Sequence, residues 1–395
     1  MRERYYDPDR PLNYSYKSEN KSLLDNYVLN HFWPYAIKVI PPTASANLVS
    51  ILGSLSCWAC FLLLAGVFTG PFSVAARRQP WLFGVAALLL FIYQTLDSLD
   101  GIQARRTGAS GPLGEFIDHW FDSINAYLVP LGIALAFPVV PPAVAAITMI
   151  LVASAGWLSA KAMRDSGIMR FGPVSGEEVL SITYLFFLAF WALGYDFWSR
   201  PGPWGVAPIA VVYLLVPVLL AGSSIASFAS VKDGLGRYAL AMLCLLPALG
   251  WTLAYLRSHG SSALALGGLL ICCIGARYAG DMLRDRLVGL EYQTILPDIL
   301  VVDLALVVSA LMATRHPGPS LLIAVACFVW LAGSLAQQFG RTVARVREVT
   351  GRSIFGIAPE RAGAPKAVPA GLRRGVFQRQ ARPAPQRWSF PRRER

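Results

Sequence analysis

The sequence predicts an all-α, polytopic integral membrane protein with about ten transmembrane helices. Of its 395 residues, 55% are hydrophobic and 15% are charged, whereas a soluble domain usually carries about 25% charged residues. Several long stretches contain no Asp, Glu, Lys or Arg at all. Since a membrane-spanning helix needs about 20 mainly apolar residues, these stretches argue against a single soluble core and predict repeated crossings of a bilayer.

The ten spans follow from the uncharged stretches and from turn-forming residues between them, such as the pair Pro141-Pro142. They are expected near residues 45–69, 80–99, 114–138, 143–163, 177–195, 206–230, 238–256, 262–280, 296–314 and 319–339. Ten crossings place both termini on one side of the membrane. The four loops on that side hold or border ten basic residues, and the five opposite loops hold five. The positive-inside rule then predicts cytoplasmic termini.

The net charge of +12 is concentrated at the C-terminal end of the chain. Residues 341–395 carry +11, and the other 340 residues carry +1. The basicity therefore does not indicate a nucleic-acid partner. Because residues 341–395 are rich in Pro, Gly, Ala and Arg, we expect a disordered cytoplasmic tail that binds anionic lipid headgroups.

The N-terminal segment, residues 1–44, is expected to be cytoplasmic, since its first twenty residues are polar and show no secretory signal. Residues 22–38 mix apolar and charged side chains, which predicts an interfacial amphipathic helix with Trp33 and Tyr35 at headgroup depth. The alternative is an ordinary helix packed on the bundle.

All six cysteines lie within predicted spans. Cys57 and Cys60 form a CxxC pair, but the sequence has no second pair with the spacing of a zinc site. The cysteines are therefore expected to be small, buried apolar side chains.

Four aspartates interrupt the apolar pattern where the second predicted span ends and the third begins. Residues three, four and seven apart share one face of a helix, so the region forms two stripes. The stripes contain Asp97, Asp100, Gly101 and Ala104, and then Gly114, Asp118 and Asp122. If the two helices face each other, the four carboxylates converge and repel one another unless a counter-charge binds.

Oxygen ligands of this kind suit Mg²⁺, Mn²⁺ or Ca²⁺. The small residues in the stripes leave room for a ligand, and the guanidinium of Arg105 suits a phosphate group. The pattern therefore predicts a diphosphate held by metal. The alternative, in which the acids pair with Arg105 and Arg106 at the membrane edge, explains one or two of the four aspartates.

The spacing D-x2-D-G-x2-A-R-x8-G-x3-D-x3-D is filled at all eight fixed positions and resembles the signature of the CDP-alcohol phosphotransferases. Further stretches resemble the choline/ethanolamine phosphotransferase branch, at residues 14–17, 103–107, 112–115 and 118–119. The chain departs from that branch at Trp120-Phe121, where Gly-Cys is common, and at residues 108–111, which replace a serine-rich segment.

The resemblance implies transfer of phosphocholine or phosphoethanolamine from CDP-choline or CDP-ethanolamine to diacylglycerol, with release of CMP. It implies two Mg²⁺ or Mn²⁺ ions held by Asp97, Asp100, Asp118 and Asp122. It also implies nucleotide contacts by Asn47, Gly101, Ala104, Arg105 and Gly114.

At the level of the chain, the resemblance implies catalytic helices over residues 45–195 and further transmembrane helices over residues 196–340. It also implies a homodimer. The membrane would be that of the endoplasmic reticulum or Golgi in a eukaryote, or the inner membrane in a bacterium.

A general base must take the proton of the acceptor hydroxyl. We expect His119 in this role, because histidine titrates near neutrality and a metal-bound carboxylate is a poor base. Asp122 is the alternative base. Glu178 resembles a family acid that could orient His119, but a negative charge at the start of a helix, where the macrodipole favours it, is an equal alternative.

Two other functions fit parts of the pattern. The first is a related transferase that uses inositol, glycerol phosphate or a sphingoid acceptor. The second is a membrane transporter with acidic residues along its path. Transporters often carry matching broken helices in two halves, whereas the acids here cluster in one place.

Overall fold

The computed structural model describes residues 11–12, 14–69, 80–137, 140–172, 175–202, 204–228, 234–289, 293 and 295–356. Over these residues the protein is almost entirely α-helical, as predicted. The helices are α1 (Asn30–Ala36), α2 (Ala46–Thr69), α3 (Trp81–Thr107), α4 (Pro112–Ala136), α5 (Pro142–Ser166), α6 (Gly176–Ser199), α7 (Pro208–Phe228), α8 (Leu235–Leu243), α9 (Leu246–Val288), α10 (Pro297–Met312) and α11 (Pro317–Thr350). Two short strands, β1 (Ser18–Asn20) and β2 (Met169–Phe171), form a parallel pair.

Each of the ten predicted spans falls on helical chain, but the count of ten membrane crossings is not confirmed. Among the described residues, eight helical segments are long and apolar enough to cross a bilayer. The two predicted spans outside this set correspond to α4 and α10. Helix α4 carries three acidic residues in its first half, and α10 has only 16 residues, which is short of the usual spanning length of about 20.

Two breaks between predicted spans have clear backbone causes. Pro141 precedes α5 and Pro142 is its first residue, a position where proline is well tolerated because its missing N–H would be unpaired anyway. The two spans expected at 238–256 and 262–280 meet inside α9, at Gly260, whose φ is +52°. Only glycine adopts such a conformation readily, so Gly260 separates two helical segments.

Helix α2 packs against both α3 and α4. Helix α3 also packs against α6, and α9 packs against α4, α5, α10 and α11. Large apolar side chains on α7 and α10 remain exposed, among them Val218, Ile225, Val301, Leu304 and Leu311. Exposed rows of this kind are expected where a helix faces lipid.

The N-terminal segment is helical where an amphipathic helix was predicted. A π-helical turn (Asp25–Leu29) precedes α1, and a 3₁₀ turn (Ile37–Val39) follows it. Trp33 is packed against the helices instead of being exposed on the surface of the segment. Trp33 is 5% exposed and packs in an apolar cluster with Leu29, Ile40, Val49 and Leu99. Its indole N–H donates to Asp25 (3.0 Å), so the apolar ring is buried and its polar group has a partner. Tyr35 stays exposed.

The six cysteines are all free and buried, as predicted. The boundary of the predicted tail at residue 341 needs correction, since residues 341–350 are the last turns of α11. Thr342, Val343 and Val346 are buried there at helical spacing, which explains why the helix continues. Residues 357–395 of the predicted tail lie outside the described residues.

Candidate metal and nucleotide site

A short connection brings the end of α3 beside the start of α4. Helix α3 ends at Thr107, and Gly108 takes a left-handed φ of +69° while its N–H bonds back to the carbonyl of Ala104. Helix α4 starts at Pro112. Both helices pack on α2 rather than closely on each other, which leaves a gap between them into which their acidic faces point.

The four aspartates converge in this gap. The carboxylate oxygens of Asp97, Asp100 and Asp118 lie within 4.8 Å of one another. The same holds for ligand atoms of Asp118, His119 and Asp122. Because Asp118 belongs to both groups, the cluster is continuous. Closely spaced hard oxygen donors fit divalent cations such as Mg²⁺ or Mn²⁺, so the residues present fit the predicted metal chemistry.

Two hydroxyl groups hold the carboxylates in place. Ser50, on α2, donates to Oδ2 of Asp100, which is buried. Tyr93, on α3, donates to Oδ1 of Asp122 at 3.0 Å. Hydrogen bonds of this type orient carboxylates for a metal. Neither residue was singled out from the sequence, although Tyr93 lies four residues before Asp97 and therefore on the same helical face.

His119 lies at the edge of the cluster, with its side chain 14% exposed. Its Nδ1 atom lies 3.5 Å from Oδ2 of Asp118 and 3.8 Å from Oδ2 of Asp122. Its Nε2 atom is buried and has no hydrogen-bond partner among the described residues. Nδ1 therefore faces the two carboxylates, whereas Nε2 makes no hydrogen bond with the described residues.

The predicted nucleotide residues form two close pairs. A Cβ at Gly101 would lie 3.4 Å from a guanidinium nitrogen of Arg105, and a Cβ at Gly114 would lie 3.3 Å from Oδ1 of Asn47. The glycines therefore let both polar side chains lie close to the helix backbone. Ala104 lies on the same stripe of α3 as Gly101 and is half-buried.

No described hydrogen bond or ion pair joins Glu178 to His119. Glu178 is the third residue of α6 and completes a capping box with Ser175, whose N–H donates to it at 2.7 Å. The other carboxylate oxygen accepts from the hydroxyl of Ser22 (2.6 Å) and the N–H of Leu24 (2.9 Å). The structure therefore supports the helix-start interpretation, and the orienting role expected from the resemblance has no described contact behind it.

A buried ion pair anchors α4 to α9, and the sequence did not reveal it. Glu115, one residue after Gly114, pairs with Arg286, and its side chain is 2% exposed. Within α9 itself, Asp281 is fully buried between Arg277 (2.6 Å) and Arg284 (2.8 Å), which lie four residues before it and three residues after it. Because the partners of α4 and α9 are far apart in the chain, helical spacing carried no signal for their pairing.

An aromatic cluster on α4 includes Trp120 and Phe121, the two positions at which the chain departs from the common Gly-Cys. Trp120 is buried and donates its indole N–H to Gln338 at 3.3 Å. Its ring packs against Phe339, with 4.7 Å between centroids, and Phe121 packs between Phe339 and Trp58. The large side chains therefore fill the contact between α4 and α11.

The N-terminal segment also reaches this end of the bundle. The β1–β2 pair holds residues 18–20 against the α5–α6 connection. Burial raises the pKa of the Tyr14 hydroxyl above its ordinary value. A cavity of about 210 Å³ lies beside it, lined by Tyr14, Ser15, Lys17, Ser166, Gly167, Arg286 and Leu287.

Comparison with known proteins identifies a family that this chain resembles. Residues 44–231 match the model for CDP-alcohol phosphatidyltransferases. Cholinephosphotransferase 1 of Saccharomyces cerevisiae is 41% identical over 115 residues, 29% of this chain and 28% of the yeast protein. Cholinephosphotransferase 1 of Gallus gallus is 37% identical over 178 residues, 43% of this chain and 50% of the chicken protein.

A plant relative gives a similar match. Choline/ethanolaminephosphotransferase 1 of Arabidopsis thaliana is 37% identical over 113 residues, 28% of both chains. Each of these three alignments spans half or less of the relative's own length. The family match covers α2 to α7, which include all four converging aspartates. Residues 44–231 therefore resemble a CDP-alcohol phosphatidyltransferase domain.

Proposed function

We propose that the protein transfers phosphocholine or phosphoethanolamine from a CDP-alcohol to diacylglycerol, and so forms phosphatidylcholine or phosphatidylethanolamine and CMP. The observation that carries the proposal is the convergence of Asp97, Asp100 and Asp118 within 4.8 Å, continuous with His119 and Asp122. The names of the related choline and ethanolamine phosphotransferases support the choice of donor.

Asp97, Asp100, Asp118 and Asp122 would hold two Mg²⁺ or Mn²⁺ ions, which supply charge stabilisation for the diphosphate and the departing CMP. Ser50 and Tyr93 keep two of the four carboxylates oriented through their hydroxyl groups. The residues proposed to contact the nucleotide are Asn47, Gly101, Ala104, Arg105 and Gly114. Among them, Arg105 matches the charge of a phosphate, and the glycines leave space beside it.

His119 is the proposed general base. Because Nδ1 faces the carboxylates of Asp118 and Asp122, its proton is best placed there, which leaves the lone pair on Nε2. The diacylglycerol oxygen attacks the β-phosphorus, and Nε2 takes the hydroxyl proton. The bond between that phosphorus and the bridging oxygen breaks, and CMP leaves with the electron pair. Asp122 is the alternative base, although its Oδ1 already accepts from Tyr93.

The setting of this activity is also proposed. Both termini would lie in the cytoplasm, because most basic residues lie on that side of the predicted topology. The protein would be a homodimer in the endoplasmic reticulum or Golgi membrane of a eukaryote, or in the inner membrane of a bacterium.

The proposal is tested by incubating purified full-length protein with diacylglycerol, Mg²⁺ or Mn²⁺, and radiolabelled CDP-choline or CDP-ethanolamine. We expect labelled phospholipid, and the ratio of rates with the two donors identifies the head group. Asp118→Asn should abolish the product. Asp196→Asn is the matched control, since Asp196 is exposed and pairs only with Arg200 among the described ion pairs. Absence of phospholipid with both donors would overturn the proposal.

A further inference from the structure

The chain beyond the last helix turns back to the nucleotide residues. Helix α11 ends at Thr350, and Gly351 adopts a left-handed φ of +67° that redirects the chain. We call residues 351–356 the return segment. It lies against the start of α2 and the connection between α3 and α4, more than 230 residues away along the sequence. No sequence motif indicated this contact.

Arg352 fastens the return segment to the α3–α4 connection. Its guanidinium donates to the carbonyl oxygens of Ala109 (3.0 Å) and Ser110 (2.5 Å). Gly111 provides the space, because a Cβ at that position would collide with the guanidinium. Residues 109–111, just before α4, therefore bind the guanidinium of Arg352. This contact holds the return segment beside the start of α4, where Gly114 lies.

Ile354 fixes the side chain of Asn47. The Ile354 carbonyl accepts from Nδ2 of Asn47 at 2.7 Å and from the Ser45 hydroxyl at 3.4 Å. Because a carbonyl only accepts, the amide nitrogen of Asn47 must face it. Oδ1 of Asn47 then faces Gly114, where it can accept a hydrogen bond from a ligand.

We propose that the return segment is the outer wall of the donor-nucleotide site, and that Arg352 and Ile354 are positioning residues for CDP-alcohol binding. This inference rests on the nucleotide role of Asn47 and Gly114 in the proposed function. The segment and the site share one small cavity, lined by Ser45, Ala46, Asn47, Ala109, Leu113, Gly114, Arg352, Ser353 and Gly356. Among the described hydrogen bonds, those of the return segment reach Ser45, Asn47, Ala109 and Ser110, and none reaches the four aspartates.

Two truncations of the full-length protein separate the return segment from the rest of the tail. Removal of residues 357–395 should leave the KM for CDP-ethanolamine and the Kd for CMP unchanged. Removal of residues 351–395 should raise both constants by about tenfold, the effect of losing hydrogen bonds to a charged group, while kcat stays the same. Steady-state kinetics and titration calorimetry with CMP measure the two constants independently of each other.

Point variants test the positioning role without removing chain. Arg352→Ala should reproduce the rise in KM and Kd, and Arg352→Lys should restore only part of the affinity, since an ammonium lacks the planar fork that reaches two carbonyls. Arg347→Ala is the matched control, because Arg347 is exposed on the last turn of α11, five residues before Arg352. It removes the same charge and should change neither constant.

Gly111→Ala provides an independent route to the same change. The backbone of Gly111 is extended, with φ 177°, so alanine fits the backbone while its methyl group displaces Arg352. The double variant Gly111→Ala/Arg352→Ala should have a KM and a Kd no higher than those of either single variant, because both substitutions remove the same contact.

Unchanged KM and Kd in Arg352→Ala and in the 351–395 truncation would overturn the inference and leave the proposed function intact. A fall in KM in these variants would also overturn it, because the return segment would then obstruct nucleotide binding instead of supporting it. Failure of the full-length protein to bind CMP would overturn both the inference and the proposed function.

Discussion

Two of the four carboxylates in the metal cluster are oriented by hydroxyl groups from another helix: Asp100 by Ser50 and Asp122 by Tyr93. The spacing of three and four residues predicts that Asp97 and Asp100 share a face, and the structure agrees. Tyr93 could have been predicted as a partner, since it lies on the same face of α3. Ser50 could not, because nothing in the local sequence says that α2 lies against Asp100.

His119 gives the sharpest prediction at the residue scale. His119→Ala should lower kcat by about 10²-fold or more, the usual contribution of a general base, and should leave the Kd for CDP-alcohol unchanged. The reason is that the Nε2 atom proposed to take the proton is not among the nucleotide contacts. Single-turnover kinetics and equilibrium binding measure the two effects separately.

His31→Ala is the control for this prediction, since His31 is exposed on α1. If His119→Ala retains near-normal turnover, the base assignment is wrong and Asp122 becomes the candidate.

At the scale of the elements, helical spacing predicts where helices form but not how they pair. All ten predicted spans are helical, yet α4 is too acidic and α10 too short to qualify as spans by length and hydropathy. Trp33 shows the same limit. The sequence around it predicts an interfacial helix, but not that Trp33 packs in an apolar cluster on α2 and α3 and donates its indole N–H to Asp25.

The pairing of α4 with α9 carries a stability prediction. Arg286→Met should lower the melting temperature, because it leaves the buried Glu115 carboxylate without its cation, a loss that costs about 3 kcal/mol or more. Arg237→Met, which removes an exposed arginine from α8, is the control.

Adding Glu115→Gln to Arg286→Met should recover part of the lost stability, since a neutral amide is less costly to bury than an unpaired charge. Thermal unfolding of the purified variants in one detergent provides the comparison. Equal melting temperatures for Arg286→Met and the wild type would contradict a structural role for this ion pair.

At the scale of the whole molecule, the C-terminal region consists of the return segment, residues 351–356, and the basic tail that follows it. The sequence predicts the basic C-terminal region, but not that residues 351–356 return to the nucleotide residues. That contact joins positions some 240 to 310 residues apart, and no periodicity in the sequence records it. If the return segment has the proposed role, the functional boundary of the tail lies at residue 357 rather than at residue 341.

Residues 357–395 hold ten basic and two acidic residues. Their removal should leave turnover unchanged in nanodiscs of neutral lipid, because they follow the return segment. It should weaken the protein's association with anionic lipid, since each basic residue near such a surface contributes about 1 kcal/mol. Lipid co-purification and activity in neutral and anionic nanodiscs measure both effects. A loss of turnover in well-folded truncated protein would refute this division.

The most direct test of the account is the stoichiometry and metal dependence of product release. Purified protein in nanodiscs, with diacylglycerol and CDP-ethanolamine or CDP-choline, should release CMP and form phospholipid in equal amounts. Both products should disappear with a chelator and return when excess Mg²⁺ or Mn²⁺ is added. CMP release without phospholipid, or equal turnover in the presence of the chelator, would contradict a metal-dependent transferase built on Asp97, Asp100, Asp118 and Asp122.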